Sequence, residues 1–388
     1  MKDSLFSRAF TVLCLQFLIV STLVALFFPL QAYMAGLGFS DGTIGFLLGA
    51  DALSAFILQP FITPLITAAY ARRWILAGSI AMAIALILEG TLTNAFGFIV
   101  ARLLQGAGFI GIVSGIMVLL VLCIPRTMSG RAFGWISLIR LLPYAAMPAI
   151  YDALRLMPKD LGIVIRWASM GCALIAALLS VLPRRIADAS PSSGQVFSYA
   201  VMARCLFDRR LFPVFAAITL LYANYAVVFF FLKGYGLSKG MASIGFFFSL
   251  ATLVMMVIRA LGSRFFDQWN KHRANAASLL LCALATALIP AASALPLLIT
   301  AALLCGTGWG ITMPLLNALV FDLSEPQHAG LNQNLALLML QAGFFLGPLI
   351  GGKLPSAAGY ASVFLAAALM AALAAVCIEW ARRGNHVR

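Results

Sequence analysis

Apolar residues in this chain run in long blocks separated by short polar connections. The blocks fall at about residues 9–34, 42–69, 74–94, 97–123, 132–154, 161–182, 211–232, 241–263, 275–292, 296–321, 330–352 and 358–381. Such lengths suit helices crossing a hydrocarbon core ~30 Å thick, some of them tilted. The pattern predicts an all-α membrane protein with twelve transmembrane helices. The first block follows Lys2 and Arg8, but it is too long for a signal peptide and further blocks follow at once, so it counts as a span.

The one long, polar, turn-rich connection is Arg184–Arg210, with Ala189-Ser190-Pro191-Ser192-Ser193-Gly194 at its centre. It divides the chain into an N-terminal six-helix bundle (1–183), a cytoplasmic linker (184–210) and a C-terminal six-helix bundle (211–388). The bundles repeat each other. Leu103-Leu104-Gln105-Gly106-Ala107-Gly108 recurs as Leu303-Leu304-Cys305-Gly306-Thr307-Gly308, an offset of 200; Ile44-Gly45-Phe46 recurs as Ile244-Gly245-Phe246, and Pro148 as Pro348, at the same offset. Gly38 to Gly42 recurs as Gly236 to Gly240, at 198. Two like-oriented six-helix repeats predict a pseudo-symmetric transporter architecture, with a substrate held at mid-membrane between the halves.

Composition agrees: 63% of residues are hydrophobic, 10% are charged, and the mean hydropathy is +1.02, so the solvent is lipid. The net charge of +14 would suggest nucleic acid until the charges are placed. With the N-terminus inside, 17 basic residues fall in cytoplasmic segments, six outside and three within spans. The asymmetry predicts both termini inside a bacterial cytoplasmic membrane, and no nucleic-acid partner. The seven cysteines are scattered with no C-x-x-C, and the three histidines are far apart; neither a metal site nor a cofactor is expected.

Candidate chemistry comes from what breaks the repeat. From Leu103 to Pro125, 23 residues carry no charge, yet Arg102 enters that span near one end, followed by Gln105, Gly106 and Gly108. An arginine in a spanning helix reads by default as a site, against the alternative that it snorkels to the headgroups. At the 200 offset Asp51 is matched by Ala251, Arg102 by Ala302 and Arg140 by Leu340, so three embedded charges belong to the first half alone. The expectation is that Asp51 takes and loses a proton, responding to Arg102 or Arg140 while substrate competes for the charge; a static ion pair is the alternative. Glu89, near the outer end of the third span, is expected to cap the helix or pair with a loop.

Uncharged polar candidates for a cavity lining are Gln16, Tyr144, Tyr222, Asn224, Tyr225, Trp309 and Asn317, each of which could equally serve interhelical hydrogen bonding. The run Val228-Phe229-Phe230-Phe231 is assigned to lipid contact or packing. After the eighth span, Arg259, Ser263 and Asp267 recur every four residues ahead of Lys271, His272 and Arg273. That spacing aligns them on one helical face, and an acid flanked by bases between two helices suits a cytoplasmic latch.

These residues resemble the major facilitator superfamily over the whole chain. Arg102-x-x-Gln105-Gly106-x-Gly108 resembles its fourth-helix motif, which in the drug:proton antiporter branch implies proton coupling. Ser263 to His272 is similar to the loop motif G-x-x-x-D-R-x-G-R-R, with Ser263 for glycine and Gln268 for arginine; the matching first-half loop, Thr63 to Trp74, keeps Arg72 and Arg73. Gly343-x3-Gly347-Pro348-x2-Gly351-Gly352 resembles the antiporter motif G-x-x-x-G-P-x-x-G-G, here on the eleventh helix, while the fifth keeps Pro143 and Pro148. The resemblance implies a monomeric secondary transporter moving a small organic molecule, by proton-coupled efflux or as an importer or uniporter of a sugar or organic acid. A membrane-embedded enzyme or a receptor is the remaining class. Against it, no nucleophile–base set or phosphate loop can be assembled.

Overall fold

A computed structural model describes residues 5–27, 30–39, 41–153, 161–182, 197–239, 245–292, 295–351 and 354–384. Among them lie twelve helices of 18 residues or more: α1 Arg8–Ala25, α2 Asp41–Ile62, α3 Ala71–Glu89, α4 Ala95–Cys123, α5 Ser129–Ala153, α6 Leu161–Leu178, α7 Phe212–Ser238, α8 Gly245–Gly262, α9 Lys271–Leu288, α10 Leu295–Leu323, α11 Ala329–Gly351 and α12 Leu354–Gly384. Helix is what lipid demands, because each backbone N–H and C=O must find a partner inside its own segment. Polar caps start several of them: Ser7 accepts from Phe10 N, Asn94 from Gly97 N at 2.7 Å and Asn270 from Arg273 N at 3.1 Å.

Three boundaries depart from the hydropathy pattern. The first apolar block is two helices, Arg8–Ala25 and Leu30–Gly36. The second ends in a single 3-10 turn, Thr63–Leu65, around Pro64. The twelfth is kinked at Gly359, whose φ of 75° is left-handed and suits glycine. The centre of the expected linker lies outside the described residues, and Tyr199–Leu206, within that linker, is a short helix.

The chain forms two compact units. The first holds residues 1–125, 139–202 and 326–334; the second holds 126–138, 203–325 and 335–388. The partition differs from a cut at the linker because the opening turns of α5 belong with the second unit and those of α11 with the first. Small residues permit this: Gly130 and Gly134 lie against Phe266 and Ser263, and Gly330 lies against Val118.

Within each unit the same pairs of helices touch. In the first, α4 packs on α3, α2 and α1, and α6 on α3 and α1; in the second, α10 packs on α9, α8 and α7, and α12 on α9 and α7. The residues at these seams keep the offset of 200. Gly106 sits against Asp51 and Ser54, Gly306 against Ala251 and Val254; Gly108 sits against Gly78 and Met82, Gly308 against Ser278 and Cys282. In membranes close backbone approach at small residues supplies the packing energy that the hydrophobic effect cannot.

Candidate functional site

Arg102 occupies α4 immediately before a charge-free stretch, and its guanidinium turns into the first unit. Nη2 donates to Asp51 Oδ1 at 2.7 Å, Nε donates to the Leu47 carbonyl at 3.0 Å, and Nη1 donates to Gln105 Oε1 one turn along its own helix. The Phe27 ring lies 5.2 Å from the guanidinium carbon. The arginine is 4% exposed and the aspartate 25%, so the pair is desolvated on one side and open on the other. Gly106 explains why α2 and α4 come close enough: only a hydrogen faces the Asp51 backbone at that level.

Glu89 joins the cluster, which corrects its assignment as a cap or loop partner. Its side chain is fully buried at the end of α3, with Oε1 3.9 Å from Arg102 Nη1. Sequence position gave its depth; the face it occupies was set by the α3–α4 seam, where Gly78, Gly108 and Gly111 bring the helices together.

Arg140, half-buried on α5, stacks its guanidinium carbon 5.3 Å from the Phe17 ring and makes no ion pair among the described residues. Tyr144, one turn further, is exposed. Asp51 is thus joined to Arg102 rather than to Arg140.

The remaining polar candidates are mostly committed inside their bundles. Gln16 is buried and donates to the Ile175 carbonyl at 2.8 Å, tying α1 to α6. Asn224 accepts from Trp309 Nε1 at 3.0 Å and donates to the Ala367 carbonyl at 2.9 Å, which links α7, α10 and α12 through two fully buried side chains. Asn317 donates back to the Met313 carbonyl at 2.8 Å. Tyr225 packs edge-on against Trp309 at 4.8 Å and beside Phe229, and Tyr222 lies 5.8 Å from Phe344. Gly343 and Gly347 seat α11 on Thr219, Tyr222 and Ala223 of α7, and Gly351 meets Phe231. Pro348 lies within α11; Gly352 lies outside the described residues.

The latch candidates divide differently from the expected helical face. α8 stops at Gly262, where Phe265 N bonds back to the Gly262 carbonyl at 2.8 Å, so Ser263 and Asp267 lie in turns beyond it and only Arg259 is on the helix. Asp267 Oδ1 accepts from the Arg131 backbone N–H at 3.0 Å, at the start of α5. Burial pushes the Asp267 carboxyl above its ordinary value, against the pull of the Arg131 and Gly130 N–H groups and Lys271. Arg259 is buried, donating to the Ser137 carbonyl at 3.2 Å and reaching Met313 Sδ at 3.1 Å. Lys271 pairs with Asp322 at 2.9 Å. Arg72 donates to the carbonyls of Leu179 and Leu182, closing the end of α6, and Arg73 lies over the Tyr70 ring.

Two six-helix units whose seams match at an offset of 200 define a multi-pass membrane protein. The chain belongs to the Major Facilitator Superfamily, whose sequence profile matches residues 10–345. No curated protein matches it by sequence. Solved structures that share the fold include the human organic anion transporter MFSD10 (TETRAN), at 19% identity and TM-score 0.75 over 96% of this chain and 99% of that one. A bacterial homologue of the iron transporter ferroportin, in an outward-facing state, gives 15% identity and TM-score 0.81 over 97% and 100%. The E. coli fucose:proton symporter FucP gives 16% and 0.75 over 96% and 98%. The chain is therefore a carrier of small molecules.

Proposed function

We propose that this transporter exports a small organic anion or zwitterion across a bacterial cytoplasmic membrane in exchange for protons, as a monomer with both termini cytoplasmic. The observation that carries the reading is the Arg102–Asp51 pair: the only cation bonded to a half-open carboxylate inside the first unit, among the described residues. A proton arriving at Asp51 breaks the pair; deprotonation restores it. Arg140, held over Phe17, supplies a cation for a substrate carboxylate, and Tyr144 lies one turn along the same helix. The anion named for MFSD10 agrees with such a substrate. The Asp267 contact with the start of α5 serves as the latch that holds one access state.

The test is proton movement in proteoliposomes of the purified chain with pyranine trapped inside. p-Aminohippurate, tryptophan and ethidium serve as anionic, zwitterionic and cationic probes. The reading expects proton flux with the first or second probe, opposite in direction to the probe and lost in Asp51→Asn. Flux with ethidium alone, or an Asp51→Asn protein at full rate, contradicts it.

A further inference from the structure

Glu89 poses a charge problem that the Arg102–Asp51 pair leaves open. Two carboxyl groups, Asp51 and Glu89, face one guanidinium, and Arg102 already gives Asp51 its 2.7 Å hydrogen bond. Neither Glu89 oxygen has a hydrogen-bond donor among the described residues, and the side chain is fully buried. A buried, unsolvated carboxylate costs several kcal/mol unless paired and hydrogen-bonded, whereas the neutral acid costs far less. The other groups facing this end of α3 do not supply the missing charge. Arg166 of α6 is exposed, passing Gly90 with its aliphatic stem, and Tyr33 packs against Gly162.

We infer that Glu89 is a buried proton store paired with Asp51 as its port: one proton resides on whichever of the two carboxyl groups Arg102 does not hold. The inference rests on the reading of Asp51 as a proton site and adds a second position to it. In the arrangement described, Glu89 carries the proton as its carboxylic acid and Asp51 is the carboxylate. When the guanidinium releases Asp51 and closes the 3.9 Å gap to Glu89 to hydrogen-bond contact, the Glu89 O–H bond breaks, the proton passes to the Asp51 carboxylate, and the cluster stays neutral. Asp51, one quarter exposed, then exchanges that proton with water, which Glu89 cannot reach. The store keeps the arginine from ever being left unpaired in the interior.

Infrared difference spectroscopy of the purified protein in bilayers tests this through the carboxylic C=O band, with protons as the only ligand. At neutral pH the wild type shows a band from a desolvated carboxylic acid that is absent in Glu89→Gln. In Asp51→Asn, Arg102 is released to Glu89 and the band falls by about tenfold or more, the effect of an opposite charge brought into contact. In Asp51→Asn/Arg102→Gln the band returns, because no cation remains to hold the carboxylate. The last two proteins keep Glu89, so the test survives if Glu89→Gln does not fold. A band unchanged in Glu89→Gln, or retained in full by Asp51→Asn, overturns the inference. Failure of the transport reading shows elsewhere, as full pH-driven flux in Asp51→Asn, so the two are distinguishable.

Discussion

Gly106 is where the packing of the repeat and the charge of the first half meet, so its substitution separates them. A methyl group at position 106 would fall 2.9 Å from Ser54 Cβ and 3.0 Å from the Asp51 carbonyl carbon. Carbon atoms prefer about 3.5–4.0 Å, so α2 and α4 must part by roughly 0.5–1 Å. Overpacking of this kind costs about 1–3 kcal/mol. The same displacement takes the 2.7 Å Arg102–Asp51 bond beyond the range of a charge-assisted hydrogen bond. Gly306 provides the control, since a methyl there meets Val254 Cβ at 2.9 Å and Ala251 Cα at 3.0 Å but no charge. Gly106→Ala and Gly306→Ala should lower the thermal unfolding midpoint in detergent by similar amounts, while only Gly106→Ala loses proton-coupled flux. Gly36→Ala, which meets nothing within 4 Å, should change neither. If Gly106→Ala unfolds like the wild type, or Gly306→Ala loses coupling equally, the argument from the seam is wrong.

Asn224→Ala removes the acceptor of the buried Trp309 indole and should cost about 1–3 kcal/mol, seen as a lower unfolding midpoint. Arg140→Gln removes the proposed anion contact and should raise the KM for an anionic probe about tenfold or more, with the thermal unfolding midpoint unchanged. The Asp267 carboxyl sits above its ordinary value where it packs on α5, so it binds its proton more tightly there than in solvent. Its stabilising contribution is therefore complete in acid and is lost as pH rises through the elevated value. Hydrogen exchange of residues 129–138, corrected for intrinsic rates, should be slowest in acid, and Asp267→Asn should flatten that dependence.

Much of the architecture is visible in the order of residues, because lipid imposes helix and the offset of 200 ties Gly106 and Gly108 to Gly306 and Gly308. The structure places those glycines on matching neighbours, and α4 and α10 start at residues 95 and 295 and end at 123 and 323. Asp51 and Arg102 stand out in sequence because each is a charge at membrane depth with no counterpart in the second repeat. Hydropathy says how deep a residue lies but not which way it faces. That is why Glu89 looks like a terminal cap and proves to be buried beside Arg102, and why Asn224 and Trp309 look like cavity lining and are bonded to each other. The end of α8 was equally hidden, since a four-residue spacing continues through Ser263 and Asp267 while the backbone does not.

Whether the embedded pair couples protons to transport is tested most directly by comparing two modes in the same proteoliposomes. One is accumulation of radiolabelled p-aminohippurate driven by a pH gradient, and the other is its exchange at equal pH on both sides. The account predicts that Asp51→Asn abolishes the first and retains the second. Gradient-driven accumulation at the wild-type level in Asp51→Asn would contradict it.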